Sequence, residues 1–126
     1  MKYLLDVSTI VASLWQNHVF HERAQAWLAG KKLAVCPITE LGFLRVSVAA
    51  HGADLVHARE MLQSFLDKYQ PVFVPCDQRA LAGLPAATGT KTTDFYLANL
   101  AGKYGMKWAT LDENIKHPAA FVVPLK

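Results

Sequence analysis

Tyr3-Leu4-Leu5-Asp6 opens the chain with a short unbroken apolar run that stops on an aspartate, and Trp108-Ala109-Thr110-Leu111-Asp112 ends the same way near the other terminus. Brief runs that are continuous rather than alternating suit strands buried on both faces, as in a parallel sheet covered by helices. Five such runs occur, at 3–5, 33–36, 72–74, 107–111 and 121–123. Between them lie helical patterns: Phe20, Ala24, Trp27 and Leu28 in one segment, Leu55, Ala58, Leu62, Phe65 and Leu66 in another. Leu41, Leu44 and Val48 form a third pattern after Cys36-Pro37, and Leu97, Ala98 and Ala101 a fourth, starting near Thr93. Strands alternating with helices predict an α/β sandwich with a mainly parallel five-stranded sheet. The Gly-, Pro- and Thr-rich stretch from Gly83 to Thr92 reads as one loop.

A chain of 126 residues, 52% hydrophobic, has the size and apolar content of one globular domain spanning 1–126. Its formal charge of +3 is compatible with a nucleic-acid partner without specifying one. Cys36 and Cys76 are far apart and in no metal-ligand spacing, which predicts two reduced, buried thiols rather than a disulfide or a zinc site. Asp6 interrupts the apolar stretch that reaches Trp15, and no small-residue cleavage pattern follows, so a signal peptide is not expected. No apolar run approaches the roughly 20 residues needed to span a bilayer. A soluble cytoplasmic protein without a membrane partner is the expectation.

Where the acids fall is more informative. Asp6 and Asp112 each follow a predicted strand, and Glu40 falls in a first helical turn just after another, so all three belong to the carboxyl edge of the sheet. Open α/β sheets bind ligands at that edge. Asp94 shares a helix face with Leu97, Ala98 and Ala101, whereas Tyr96, Asn99 and Lys103 point away. A carboxylate on a core-directed face costs several kcal/mol, roughly, unless it is paired or bound to a cation.

Singly, each acid has an ordinary explanation. Asp6 and Asp112 suit a helix cap or a turn, Glu40 suits a first helical turn, and Asp94 suits capping. Together, four like charges on one edge repel and call for divalent cations. Mg²⁺ or Mn²⁺, which take oxygen ligands and orient water for attack on phosphate, fit that set better than zinc.

Four segments, Leu4-Leu5-Asp6-Val7-Ser8, Ile38-Thr39-Glu40-Leu41-Gly42-Phe43-Leu44-Arg45-Val46, Thr92-Thr93-Asp94-Phe95-Tyr96-Leu97-Ala98 and Ala109-Thr110-Leu111-Asp112, resemble in order and spacing the four acidic motifs of PIN-domain nucleases. The resemblance covers essentially the whole chain and is closest to VapC-type toxins of prokaryotic toxin–antitoxin pairs. It implies a three-layer α/β/α sandwich, Mg²⁺- or Mn²⁺-dependent cleavage of RNA (usually transfer or ribosomal RNA), homodimerisation, and inhibition by a cognate antitoxin. On the matching positions, Asp6 and Asp94 are implied as principal metal ligands, and Glu40 and Asp112 as completing the acidic pocket. Ser8 and Thr110 match hydroxyl positions that support those ligands. Glu113, Asn114, Ile115 and Lys116 depart from the family's usual continuation after the fourth acid.

Other residues compete for attention. His18 and His21 have a metal-like spacing and, with Trp15 and Phe20, form an aromatic group after the first motif. Surface or capping roles are expected for the histidines, and packing rather than base stacking for the aromatics. His51, His57 and His117 have no acid–base partner visible in the sequence. Ten acids less the four of the proposed site leave six against thirteen Lys and Arg, a surface excess of about +7 that can steer a polyanion. Arg45, Lys91 and Lys116 lie near the motifs.

Two other functions need comparison. A haloacid-dehalogenase phosphatase calls for two aspartates flanking one residue after the first strand, where this chain has Asp6-Val7-Ser8. A receiver domain leaves Glu40 and Asp94 unexplained. A PIN-like fold that only binds RNA or protein is the non-enzymatic alternative, and the presence of all four acids argues against it.

Overall fold

In the strands at 2–5, 32–35 and 107–110 neighbouring residues enter opposite cores, which is why their apolar runs do not alternate, whereas Val72 and Phe73, expected to be buried on both faces, are 40% and 57% exposed. In the computed structural model, which describes residues 1–84 and 91–124, the strands are β1 (Lys2–Leu5), β2 (Lys32–Val35), β3 (Val72–Phe73), β4 (Lys107–Thr110) and β5 (Ala120–Val122). Each boundary lies within one residue of the expected position. The helices are α1 (Val7–Leu14), α2 (His21–Leu28), α3 (Pro37–His51), α4 (Leu55–Tyr69) and α5 (Thr92–Lys103). Residues 85–90, the greater part of the expected loop, lie outside the described residues.

Leu5, Leu33, Val35 and Ala109 pack with Ile10, Leu28, Phe43 and Phe65 from α1 to α4. On the other side, Leu4, Ala34 and Trp108 pack with Leu97, Leu100 and Ala101 of α5. The result is the expected three-layer α/β/α sandwich, with four helices on one face and α5 on the other. All four strand pairings are parallel, in the order β3-β2-β1-β4-β5. The chain therefore builds outward from β1 in one direction, then returns to build in the other. That reversal leaves a crevice at the carboxyl ends of β1 and β4, the usual ligand position in such sheets.

Two buried hydroxyls fix the helices to this edge. Thr9 Oγ1 donates to the Ala109 carbonyl at 3.0 Å, and Thr39 Oγ1 to the Leu5 carbonyl at 2.8 Å. They set the starts of α1 and α3 against β4 and β1.

The inner face of α3 is not the one its apolar spacing predicts. Leu41 and Val48 are 65% and 43% exposed, while Thr39, Gly42, Phe43 and Ser47 are buried. Close packing on α1 favours small and polar residues here. A Cβ on Gly42 would lie 2.4 Å from Val7 Cγ2, and Ser47 Oγ accepts the Trp15 indole N–H at 2.9 Å. Gly42→Ala should therefore cost about 1–3 kcal/mol, as overpacking does. Adding Val7→Ala should recover part of the loss, and chemical denaturation of the single and double variants checks this.

Phe20 also departs from expectation, standing outside the core at 38% exposure. Cys36 is buried, but Cys76 is exposed beyond the end of β3, so only one thiol is sequestered. No helix among the described residues is long and apolar enough to cross a membrane.

Candidate active site

Asp6 is both a helix cap and the most buried acid of the edge. Its backbone N–H extends the sheet to the Ala109 carbonyl at 2.9 Å, while its extended backbone and side chain start α1. Oδ1 accepts the Val7 N–H at 2.8 Å; Oδ2 accepts the hydroxyls of Ser8 at 2.8 Å and Thr110 at 2.7 Å. These three donors favour the carboxylate, yet burial outweighs them and, with repulsion from Asp94, lifts Asp6 to about 6.

Thr110 connects the first and last acidic segments. Besides donating to Asp6, its Oγ1 accepts the Asp112 N–H at 3.0 Å. Asp112 in turn uses Oδ1 to accept the Asn114 N–H at 2.9 Å, closing a tight turn, and Oδ2 to pair with Lys91 Nζ at 2.6 Å. The Lys91 ammonium and that turn hold Asp112 below the ordinary carboxylate range. Ser8 and Thr110 thus both touch Asp6, and Thr110 fixes the spacing between Asp6 and Asp112.

Asp94 sits in the first turn of α5, half-buried rather than in the core. The cap position belongs to Lys91, whose side chain makes no capping bond, and Asp94 makes no hydrogen bond or ion pair among the described residues. Capping therefore does not account for it. Burial and the neighbouring Asp112 raise its carboxyl pKa, and Lys91 offsets this only in part. The helix dipole at this end favours an anion by about 0.3–1 kcal/mol.

A cavity of about 420 Å³ brings Asp6, Ser8, Asp94 and Asp112 together, with His18 and Phe20 also on its walls. Glu40 is placed differently. It stands half-buried in the first turn of α3, on the β2 side of the same edge, and burial raises its carboxyl pKa. It does not line this cavity.

The aromatic group after α1 divides in two. Trp15 and His21 are held within the chain: Trp15 stacks on His51 at 4.6 Å between ring centroids, and His21 Nδ1 donates to the Ala12 carbonyl at 2.9 Å. His18 and Phe20 instead face the acids. The missed signal was their position in the turn that follows the first aspartate's helix. In the sequence Lys91 stands out only by its nearness to a motif, because its partner Asp112 lies 21 residues away. Arg45 and Lys116 are exposed.

The donor set suits a hard, oxygen-preferring cation in chemistry. Three carboxylates share one cavity, two of them with raised pKa values, and among the described residues Lys91 is salt-bridged only to Asp112. In the protein alone Asp112 is paired with Lys91, and no three His, Cys, Asp or Glu side chains among the described residues are gathered closely enough to hold an ion as they stand.

Comparison with known proteins places this arrangement in a family. The PIN-domain profile matches residues 3–120. Ribonuclease VapC44 of Mycobacterium tuberculosis is 32% identical over 127 residues, covering 91% of this chain and 89% of that protein. Ribonucleases VapC38 and VapC29 of the same organism are each 31% identical, over 121 and 122 residues, covering 89% and 93% of this chain and 86% and 90% of their own. A chain from the crystal structure of VapBC2 from Rickettsia felis, bound to a promoter DNA fragment, superposes with a TM-score of 0.66 over 97% of both chains at 16% identity. The fold, the ordered acidic segments and these relatives together establish that the chain belongs to the PIN-domain family, as a VapC-type member.

Proposed function

We propose that the protein is the endoribonuclease toxin of a toxin–antitoxin pair and hydrolyses RNA phosphodiester bonds with Mg²⁺ or Mn²⁺ at Asp6, Glu40, Asp94 and Asp112. The observation that carries the proposal is the meeting of Asp6, Asp94 and Asp112 around one cavity at the point where the sheet reverses its direction of growth. The relatives named as ribonucleases supply the reaction class. A divalent cation bound there supplies Lewis acidity to the phosphate and an activated water.

The chain's own groups prepare that site. Ser8 and Thr110 hold Asp6 Oδ2, the Val7 N–H holds Oδ1, and together they prevent rotation of the most buried ligand. Asp94, without a partner among the described residues, needs the least rearrangement to serve as a ligand. Lys91 balances Asp112 and stands ready to meet a phosphate oxygen when that carboxylate is otherwise engaged. Glu40 acts from the β2 side of the edge, as a ligand or as the group that orients the attacking water.

Transfer or ribosomal RNA is the proposed substrate, a cognate antitoxin the inhibitor, and a homodimer the working form in the cytoplasm. Leu41 and Val48, seven residues apart on one face of α3, are exposed apolar residues suited to a protein partner. Purified protein should cut RNA with Mg²⁺ or Mn²⁺ and lose all cutting in chelator. Expression alone should arrest growth, and co-expression of the antitoxin should restore it. Chelator-resistant cleavage would overturn the metal assignment, and absence of cleavage in metal-replete protein would overturn the enzyme.

A further inference from the structure

The segment 15–20 joins α1 to α2, places His18 and Phe20 on the acidic cavity, and is anchored at both ends. At one end the Trp15 indole donates to Ser47 Oγ at 2.9 Å and stacks on His51. At the other, His21 Nδ1 donates to the Ala12 carbonyl. Backbone bonds from His18 N–H to the Trp15 carbonyl and from His21 N–H to the His18 carbonyl, each 3.0 Å, close successive turns between them. The loop is preorganised before anything binds.

Within it, His18 Nδ1 accepts the Phe20 N–H at 3.0 Å. In the neutral ring the proton is therefore on Nε2, and Nε2 has no partner among the described residues. The Phe20 ring lies 6.0 Å from the His18 ring and is 38% exposed. The Arg23 guanidinium sits 5.2 Å from the Phe20 ring centroid, with Nε held by the Val123 and Pro124 carbonyls at 2.9 and 3.1 Å. An exposed aromatic ring and a free N–H donor thus line the same cavity as Asp94 and Asp112, with an anchored cation against the ring.

We propose that this loop binds one unpaired nucleotide of the RNA next to the bond that is cut, Phe20 stacking on its base and His18 Nε2–H donating to its sugar or phosphate oxygen. The inference rests on the ribonuclease reading above and deepens it, because stacking on Phe20 requires a base whose face is free. It assigns preference for single-stranded or looped RNA to this chain's own residues. Arg23 serves as a positioning residue, holding the Phe20 ring in place.

The test uses variants that keep the loop. His18→Asn retains an acceptor for the Phe20 N–H and removes the Nε2 donor; Phe20→Leu retains apolar bulk and removes the aromatic face; Phe20→Trp retains stacking. KM and kcat are measured on a short single-stranded RNA with Mg²⁺, and affinity for the same RNA by fluorescence anisotropy in an Asp94→Asn background. Phe20→Leu should raise KM and the dissociation constant by roughly tenfold or more. His18→Asn should weaken binding in the same direction, and Phe20→Trp should bind like the parent or more tightly. Mn²⁺ affinity, measured by calorimetry, should be the same in all three.

If the parent cuts RNA but Phe20→Leu and His18→Asn bind and cut it as the parent does, the loop is structural and this inference fails alone. Equal weakening by Phe20→Leu and Phe20→Trp would also overturn it, since bulk rather than stacking would then matter. A parent that neither binds nor cuts RNA would overturn both this inference and the function on which it rests.

Discussion

Asp94→Asn should reduce RNA cleavage by roughly a hundredfold or more while leaving the metal-free protein at least as stable as wild type. The substitution keeps the side chain's size and removes one negative charge from a cavity that also holds Asp6 and Asp112. Burial and Asp112 already disfavour the charged form of Asp94, so neutralising it relieves strain in the folded state. On the proposed mechanism activity should fall, because charge stabilisation of the transition state would depend on a cation held in position by this carboxylate. Added Mg²⁺ should raise the melting temperature of wild type through preferential binding to the folded state, and that of the variant much less. A helix-capping role predicts the opposite: a loss of about 0.5–2 kcal/mol with normal catalysis. Melting curves and cleavage rates for both proteins, with and without Mg²⁺, separate the two.

Asp6→Asn should be equally damaging to activity and should also change how stability depends on pH. A carboxyl whose pKa is raised by folding binds its proton more tightly in the folded state, so protonation favours folding. The cost of ionised Asp6 is absent below its unfolded value of 3.8, grows as pH rises toward about 6, and is complete above that. Its full size is up to roughly 3 kcal/mol. Glu40 and Asp94 shift in the same direction, whereas Asp112 and Asp77 shift in the other. Denaturation of metal-free wild type and Asp6→Asn at pH 4.5 and 7.5 isolates the Asp6 contribution. The variant should gain stability relative to wild type as pH rises. Asn is as good a cap as Asp, so if capping were the whole role of Asp6, cleavage would survive the change.

The central strands were legible because burial on both faces leaves a simple trace, a short continuous run rich in apolar residues; β3 left a similar run although Val72 and Phe73 are exposed. Helix α1 left no such trace. Thr9, Ile10, Val11, Ala12 and Ser13 are all buried, so no amphipathic period marks it, and its apolar residues merge with those of β1. In α3 the period was present but misleading, because contact with Val7 requires Gly42 and the buried polar position is Ser47. Leu41 and Val48 were left facing outward.

The candidate site was legible as four acids because each lies beside a recognisable strand end or helix start. The geometry places three of those acids on one cavity, and Glu40 in the first turn of α3, outside its lining. What the sequence did not display were partners distant along the chain. Lys91 reaches Asp112, Thr110 bridges Asp112 and Asp6, and the loop carrying His18 and Phe20 turns back over the first aspartate. Such contacts depend on the strand order, which local pattern does not encode.

The chemistry of the cut ends tests the central claim most directly. Purified protein is incubated with RNA in Mg²⁺, and the new termini are assigned by phosphatase treatment, adaptor ligation and sequencing. Water activated at an acidic metal site leaves 5′-phosphate and 3′-hydroxyl ends, and chelator abolishes them. Cyclic phosphate ends with 5′-hydroxyl partners, produced equally well in chelator, would contradict the account, because the RNA's own 2′-hydroxyl would then be the nucleophile and the carboxylates would have no cation to hold.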